Sequence, residues 1–246
     1  MPSALRRACV AAAGALDGVL LYGSRARGTA RPDSDVDLLL LRDWSPGSWT
    51  SGACNVTSYR SGHLSEMARR GSLFVLHLRL DGLVLADPAG RLDLALAQYR
   101  PPSSYGPLLA ELAAAGAALD PVEDSARHEP ALLRLGDYLV RTAAYARLHE
   151  AGRPQFDPDE VGDELGDAAV AAVLSTRGDM RPGRGRLALC RTALEGLLGR
   201  RVENRYGSVE ALAVMLSGKR QHAAALLGQV LAGQGLDYCA LTPPPL

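Results

Sequence analysis

Two acidic side chains, Asp35 and Asp37, stand at the start of an apolar run, and ten residues separate them from the pair Gly23-Ser24. Alternate residues of a β-strand point to the same side, so the two carboxylates are expected to lie together. A divalent cation relieves the repulsion between them, and carboxylate oxygens are ligands that suit Mg²⁺. The pair therefore predicts a magnesium site.

The Gly23-Ser24 pair has the residue types of a phosphate-binding turn. Glycine lets the backbone approach a phosphate closely, and N–H groups at a strand-to-helix turn favour an anion. Ser24 adds a hydroxyl group, and Arg25 and Arg27 add positive charge. A phosphate cradle beside a magnesium site is what phosphoryl or nucleotidyl transfer requires.

The elements that position these residues follow from the apolar pattern. Two apolar runs predict strands at 18–22 and 35–41, on either side of the glycine turn. The composition of residues 43–52 predicts a loop, and the alternation in 54–59 predicts a third strand. Further expected elements are helices at 3–16, 63–70 and from 73 to about 80 and a strand at 83–85.

A Gly-Ser pair, ten residues and then Asp-x-Asp, placed between two apolar strands, resembles the signature of the DNA polymerase β-type nucleotidyltransferase superfamily. The order of elements is similar to that of small aminoglycoside and antitoxin-type nucleotidyltransferases. The resemblance implies an α+β fold in which a catalytic domain with a mixed sheet and flanking helices (1–90) precedes an all-helical domain (91–246). It further implies transfer of a nucleoside monophosphate from a triphosphate, with ATP expected, to a hydroxyl group of a small molecule or protein.

The resemblance also implies that a basic group of the helical domain reaches the triphosphate. Arg141 is the candidate for this contact, and an ion pair with Asp137, four residues earlier, is the alternative. Helices are predicted at 105–119, 129–150, 159–174, 185–200, 208–217 and 219–233. The proline-rich end at 242–246 is expected to be extended or disordered.

Active members of the superfamily carry a third carboxylate on a following strand, and here that strand, 54–59, contains neither Asp nor Glu. Asn55 takes the position at the strand start and is the third candidate metal ligand, but an amide cannot act as a base. Three explanations are open. Another acid such as Glu66 serves the site, or His63 or His77 is the base. Alternatively, the chain is a weak or inactive nucleotide-binding module, antitoxin-like, that binds a protein partner.

Composition limits the partners. The formal net charge is zero, which argues against nucleic acid as a partner. The four cysteines are far apart and show no zinc-binding spacing, so free thiols in a cytoplasmic protein are expected. No apolar stretch reaches the roughly 20 residues that a membrane span needs. The apolar residues near the N-terminus are interpreted as a helix packed on the sheet, not as a signal peptide.

Replacing Asp35 and Asp37 together by Asn should abolish Mg²⁺-dependent binding of a nucleoside triphosphate, because the two carboxylates are the clearest predicted metal ligands. Calorimetric titration with a non-hydrolysable triphosphate, with and without Mg²⁺, measures the effect. Far-ultraviolet circular dichroism must stay unchanged as the control. A double variant that binds as tightly as the parent would show that the metal assignment is wrong.

Overall fold

A computed structural model of the chain describes residues 18–32, 34–42, 46–176 and 184–233. These residues form two compact units that divide between Pro102 and Ser103, and each unit is considered by itself. The helix predicted at 3–16 and the predicted tail at 242–246 lie outside the described residues.

A five-stranded mixed sheet forms the centre of the first unit. Its strands are β1 (Gly18–Tyr22), β2 (Val36–Leu41), β3 (Gly47–Ser51), β4 (Cys54–Tyr59) and β5 (Leu83–Ala86). They lie in the order β3-β4-β2-β1-β5. β2 and β4 run parallel, whereas the other three neighbouring pairs are antiparallel. The parallel pair matters most for the site, because it places Asn55 directly beside Asp37.

Strand β3 corrects the sequence prediction, which assigned residues 43–52 to a loop. Its residues pair with β4 from Gly47 opposite Ser58 to Ser51 opposite Cys54. The tight connection at Gly52, which has a φ of +59°, closes this hairpin. The serines and glycines of the segment concealed the strand, because its stability comes from pairing with β4 and not from a buried apolar pattern.

Helices cover the face of the sheet that carries the site residues. They are α2 (Ser61–Arg69), α3 (Leu73–Asp81) and α4 (Arg91–Ala97), whereas Ala26 of the single-turn helix α1 (Ser24–Arg27) packs against the opposite face. Leu39 and Leu41 of β2 pack with residues of α2, α3 and α4 in one buried cluster. Leu38 and Leu40 belong to a second cluster on the opposite face. Since side chains alternate along a strand, Asp37 shares the face of Leu39.

In the second unit, every element in residues 103–176 and 184–233 is helical. The α-helices are α5 (Gly106–Gly116), α6 (Ser125–Glu150), α7 (Pro158–Leu165), α8 (Ala168–Ser175), α9 (Arg184–Leu198), α10 (Val209–Leu216) and α11 (Gln221–Leu231), with a 3₁₀ turn at Ala117–Leu119. The single helix predicted at 159–174 is wrong, because Gly166 ends α7 in the left-handed conformation. Asp167 then caps α8 by accepting hydrogen bonds from the N–H groups of Ala169 and Val170.

The predicted fold class, a mixed sheet with flanking helices followed by helices, is confirmed. Within the described ranges, no helix combines the length and apolar character needed to cross a membrane. The longest helix, α6 with 26 residues, carries charged side chains along its length.

The core under the site predicts a specific loss of stability. Leu39 is fully buried two residues after Asp37, so Leu39→Ala should lower the free energy of unfolding by about 2–5 kcal/mol. Leu94→Ala is the matched control, since the Leu94 side chain is 66 % exposed and its truncation leaves no cavity. Urea denaturation of both variants checks the difference, and equal midpoints would contradict the packing described.

Candidate active site

Gly23 makes the turn that begins the site. It follows β1 with a φ of +74°, a left-handed conformation that favours glycine. Its carbonyl oxygen accepts hydrogen bonds from the N–H groups of Ala26 and Arg27, which closes the single turn of α1. A Cβ atom at Gly23 would lie only 2.5 Å from Oδ2 of Asp37. The turn and the second carboxylate are therefore packed directly against each other.

The predicted metal ligands are brought together. Asp35 lies just before β2, Asp37 lies within it, and Asn55 is the register partner of Asp37 on β4. The amide nitrogen of Asn55 donates hydrogen bonds to Oδ2 of Asp35 at 3.2 Å and to Oδ1 of Asp37 at 3.3 Å. Both carboxylates thus converge on one point, which is occupied by the amide group.

Thr50 was not recognised from the sequence, because its segment was assigned to a loop. Its hydroxyl group lies on β3 and donates to the amide oxygen of Asn55 at 3.1 Å. This bond directs the nitrogen of the amide toward the two carboxylates. A hydroxyl group also accepts hydrogen bonds, so Thr50 satisfies the amide in either orientation.

Arg25 joins the glycine turn to the start of β2. Its Nε donates to the backbone carbonyl oxygens of Ser34 and Asp35, each at 3.1 Å. One terminal nitrogen donates to the Ser34 carbonyl as well. The sequence predicted a contact with phosphate for this arginine. The structure gives its guanidinium group a positioning contact that fixes the backbone of Asp35.

Arg27 is held by residues of α3. Its Nη1 lies 2.9 Å from Oδ2 of Asp81 and 3.4 Å from Nε2 of His77, and that Nε2 lies 3.3 Å from the same Asp81 oxygen. Burial alone would raise the pKa of the Asp81 carboxyl group, but the hydrogen bonds and charges of His77 and Arg27 outweigh burial and hold that pKa below its usual range. No sequence signal indicates this ion pair, because its partners are 54 residues apart.

The side-chain hydroxyl group of Ser24 is available for contact with a ligand. Its backbone carbonyl accepts the N–H of Thr29, and its hydroxyl group makes no hydrogen bond to another described residue. The residue is partly exposed at the first position of α1. A hydroxyl group in this position is able to donate to a phosphate oxygen.

Each candidate base outside the carboxylate pair has another partner. Glu66 accepts hydrogen bonds from Arg69 and Arg70, which hold the pKa of its carboxyl group below its usual range. His63 stacks on the ring of Tyr59 with centroids 5.5 Å apart. His77 contacts Asp81 and Arg27, as described above. Arg141 lies on α6 in the second unit, and its contact with a triphosphate stays a prediction.

Comparison with known proteins identifies the first part of the chain. The family model for a nucleotidyltransferase domain matches residues 4–63, the segment that contains β1 to β4, the turn and both carboxylates. No curated protein sequence matches the chain. A solved structure of a nucleotidyltransferase-like protein from Exiguobacterium sibiricum 255-15 is similar over 91 % of this chain and 84 % of that chain, at 15 % identity and a TM-score of 0.29. This likeness is too weak to transfer any residue role.

The contact between Gly23 and Asp37 predicts a difference between two glycines of the same turn. Gly23→Ala and Gly28→Ala both place a side chain at positive φ, which costs about 1–2 kcal/mol in the left-handed helical conformation of Gly28 and more at Gly23, whose ψ of −160° is almost restricted to glycine. The Cβ at Gly28 meets nothing within 4 Å. Gly23→Ala should therefore lose more stability and also weaken triphosphate binding. Urea denaturation and calorimetric titration measure both effects.

Adding Asp37→Ala supplies the control, because it removes the atom that a Cβ at Gly23 would meet. In that background the stability cost of Gly23→Ala should fall, whereas that of Gly28→Ala should stay unchanged. A Gly23→Ala cost that does not fall after removal of the Asp37 carboxylate would mean that this contact is not the cause.

Proposed function

We propose that the chain transfers a nucleoside monophosphate from a triphosphate, with ATP as the expected donor, to a hydroxyl group of an acceptor, because its residues 4–63 match the family model for a nucleotidyltransferase domain. The observation that carries the proposal is the convergence of Asp35 and Asp37 on one point beside the Gly23 turn. Two carboxylates at a phosphate-binding turn are suited to nucleotidyl transfer.

The residues present fit a magnesium ion. Oxygens of Asp35 and Asp37 both lie within 3.3 Å of a single nitrogen atom, so they are able to face one small cation. Asn55 would supply its amide oxygen as a third ligand after a half-turn of the amide group. Mg²⁺ prefers carboxylate, carbonyl and phosphate oxygens, and it would neutralise the charge of the triphosphate.

The chain's own groups orient the nucleotide. Glycine at position 23 lets the turn pack directly against Asp37, and the hydroxyl group of Ser24, which makes no hydrogen bond to another described residue, adds a donor. Arg25 holds Asp35 in place through the backbone, which keeps the first carboxylate beside the turn. Arg27 adds positive charge to the turn while its position is fixed by Asp81.

Transfer is expected to be slow, because the amide of Asn55 stands where active relatives carry a carboxylate and an amide takes up no proton. A general base contributes about 10²–10⁴-fold to a rate. The proposed acceptor is a small molecule or a protein, since the zero net charge gives no electrostatic attraction for nucleic acid.

Asn55→Asp tests the proposal. The new carboxylate would stand beside Asp37 and should raise the rate of pyrophosphate release from the preferred triphosphate. It should also destabilise the protein without Mg²⁺, because three carboxylates repel, and Mg²⁺ should restore the melting temperature. The measurements are pyrophosphate release with each of the four ribonucleoside triphosphates, with water taking the nucleotidyl group in place of the unidentified acceptor, and thermal melting with and without Mg²⁺.

Ser51→Asp is the matched control. It adds the same charge on the neighbouring strand β3, but Ser51 pairs with Cys54 and therefore faces the side of the sheet opposite to Asn55. Its melting temperature and turnover should follow the parent. If parent and Asn55→Asp bind triphosphate but neither releases pyrophosphate, the chain is a nucleotide-binding module and the proposed transfer is wrong.

A further inference from the structure

A buried histidine of the second unit has no hydrogen-bond partner at one ring nitrogen. His128 lies in the first turns of α6 and is only 8 % exposed. Its Nε2 is inaccessible to solvent and makes no hydrogen bond. A buried polar atom without a partner costs about 1–3 kcal/mol, so its presence calls for a ligand that compensates this cost.

Two carboxylates face this nitrogen. Oδ2 of Asp124 lies 3.9 Å and Oε1 of Glu210 lies 3.8 Å from Nε2 of His128. Both distances are too long for hydrogen bonds. The three ligand atoms nevertheless lie within 4.8 Å of one another. Asp124 is the residue that precedes α6 and His128 lies one turn later on that helix, whereas Glu210 comes from α10.

Backbone contacts hold the cluster in position. The carboxylate of Asp124 accepts hydrogen bonds from the N–H groups of Val209 at 2.8 Å and Glu210 at 3.3 Å, and so caps the start of α10. The start of α10 is thereby tied to the start of α6. Arg127 lies 3.0 Å from Oε1 of Glu210 and is the competing partner of that oxygen.

The distances from Nε2 of His128 to the two carboxylate oxygens are close to those between the ligand atoms of a metal site. Tetrahedral Zn²⁺ with bonds of about 2.0–2.2 Å places its ligand atoms roughly 3.4 Å apart. The two distances to His128 exceed this value by about 0.5 Å. The Glu210 carboxylate is able to move closer to Nε2 of His128, because the side chain of Glu210 is 54 % exposed. Among the described residues, only the exposed Arg127 donates a hydrogen bond to its Oε1.

We propose that Asp124, His128 and Glu210 bind a divalent transition-metal cation of the Zn²⁺ class, with a fourth position left for water. One imidazole nitrogen and two carboxylate oxygens match the donor types of such ions, whereas an imidazole ligand disfavours Mg²⁺ and Ca²⁺. The ion joins α6 to α10 and stabilises the second unit. This site is independent of the proposed transferase activity, because it shares no residue with the turn or the carboxylate pair.

Cobalt and zinc titrations of the full chain, after removal of metal with a chelator, test the proposal. The parent should bind one Co²⁺ with visible d–d absorption, and Zn²⁺ should displace it and raise the melting temperature. Glu210→Gln should weaken the affinity at least about tenfold and remove the Zn²⁺-dependent stabilisation. His128→Ala should have the same effect, and the exposed position of Glu210 keeps the test valid if His128→Ala fails to fold.

Three further variants sharpen the test. Glu203→Gln removes the same charge from an exposed residue that is paired with Arg205, and its affinity should stay within twofold of the parent. Arg127→Gln should bind the metal more tightly, because Glu210 loses its competing partner. Asp35→Asn with Asp37→Asn should leave the Co²⁺ spectrum unchanged, which separates this site from the one near Gly23.

Three results would overturn the proposal: no Co²⁺ uptake by the parent, equal affinities of Glu210→Gln and Glu203→Gln, or only the intense near-ultraviolet charge-transfer absorption that marks cysteine ligation.

Discussion

The first unit depends on the contact between the backbone of Gly23 and the carboxylate of Asp37. Only glycine fits this position, because any Cβ atom would lie within 2.5 Å of a carboxylate oxygen. The contact fixes the distance between the turn after β1 and the face of β2. Antiparallel pairing of Tyr22 with Asp37 sets the same distance from the strand side. The register of the sheet and the geometry of the site are therefore set by the same contacts.

The neighbouring strand β4 places an amide side chain, that of Asn55, beside the carboxylate of Asp37. Its parallel register with β2 brings residue 55 beside Asp37, where a carboxylate would be expected from the family resemblance. The amide that stands there donates hydrogen bonds to both carboxylates and so partly compensates their repulsion. A cation and the amide nitrogen thus have the same electrostatic role at this point. The side chain of Asn55 thus stabilises the close placement of the Asp35 and Asp37 carboxylates.

Much of this arrangement could be predicted from the sequence, and particular residues show why the rest could not. β1, β2 and β4 follow from apolar runs, and the strand start at Asn55 was correctly placed beside the acidic pair. β3 lacks such a run, so its pairing was hidden. The ion pair between Arg27 and Asp81 and the cluster around His128 join distant segments. The spacing of residues in a sequence predicts contacts only within one helix or strand. These contacts between distant segments are therefore seen only in the structure.

Arg25 has a consequence for how a ligand is received. Its guanidinium group spans the loop between the turn and β2 and binds the carbonyl oxygens at both Ser34 and Asp35. The backbone at Ser34 and Asp35 is therefore already restrained before any ligand arrives. Less conformational entropy remains to be lost on association, which favours affinity through preorganisation. Arg25 would in this way contribute to the binding constant through the backbone that it holds.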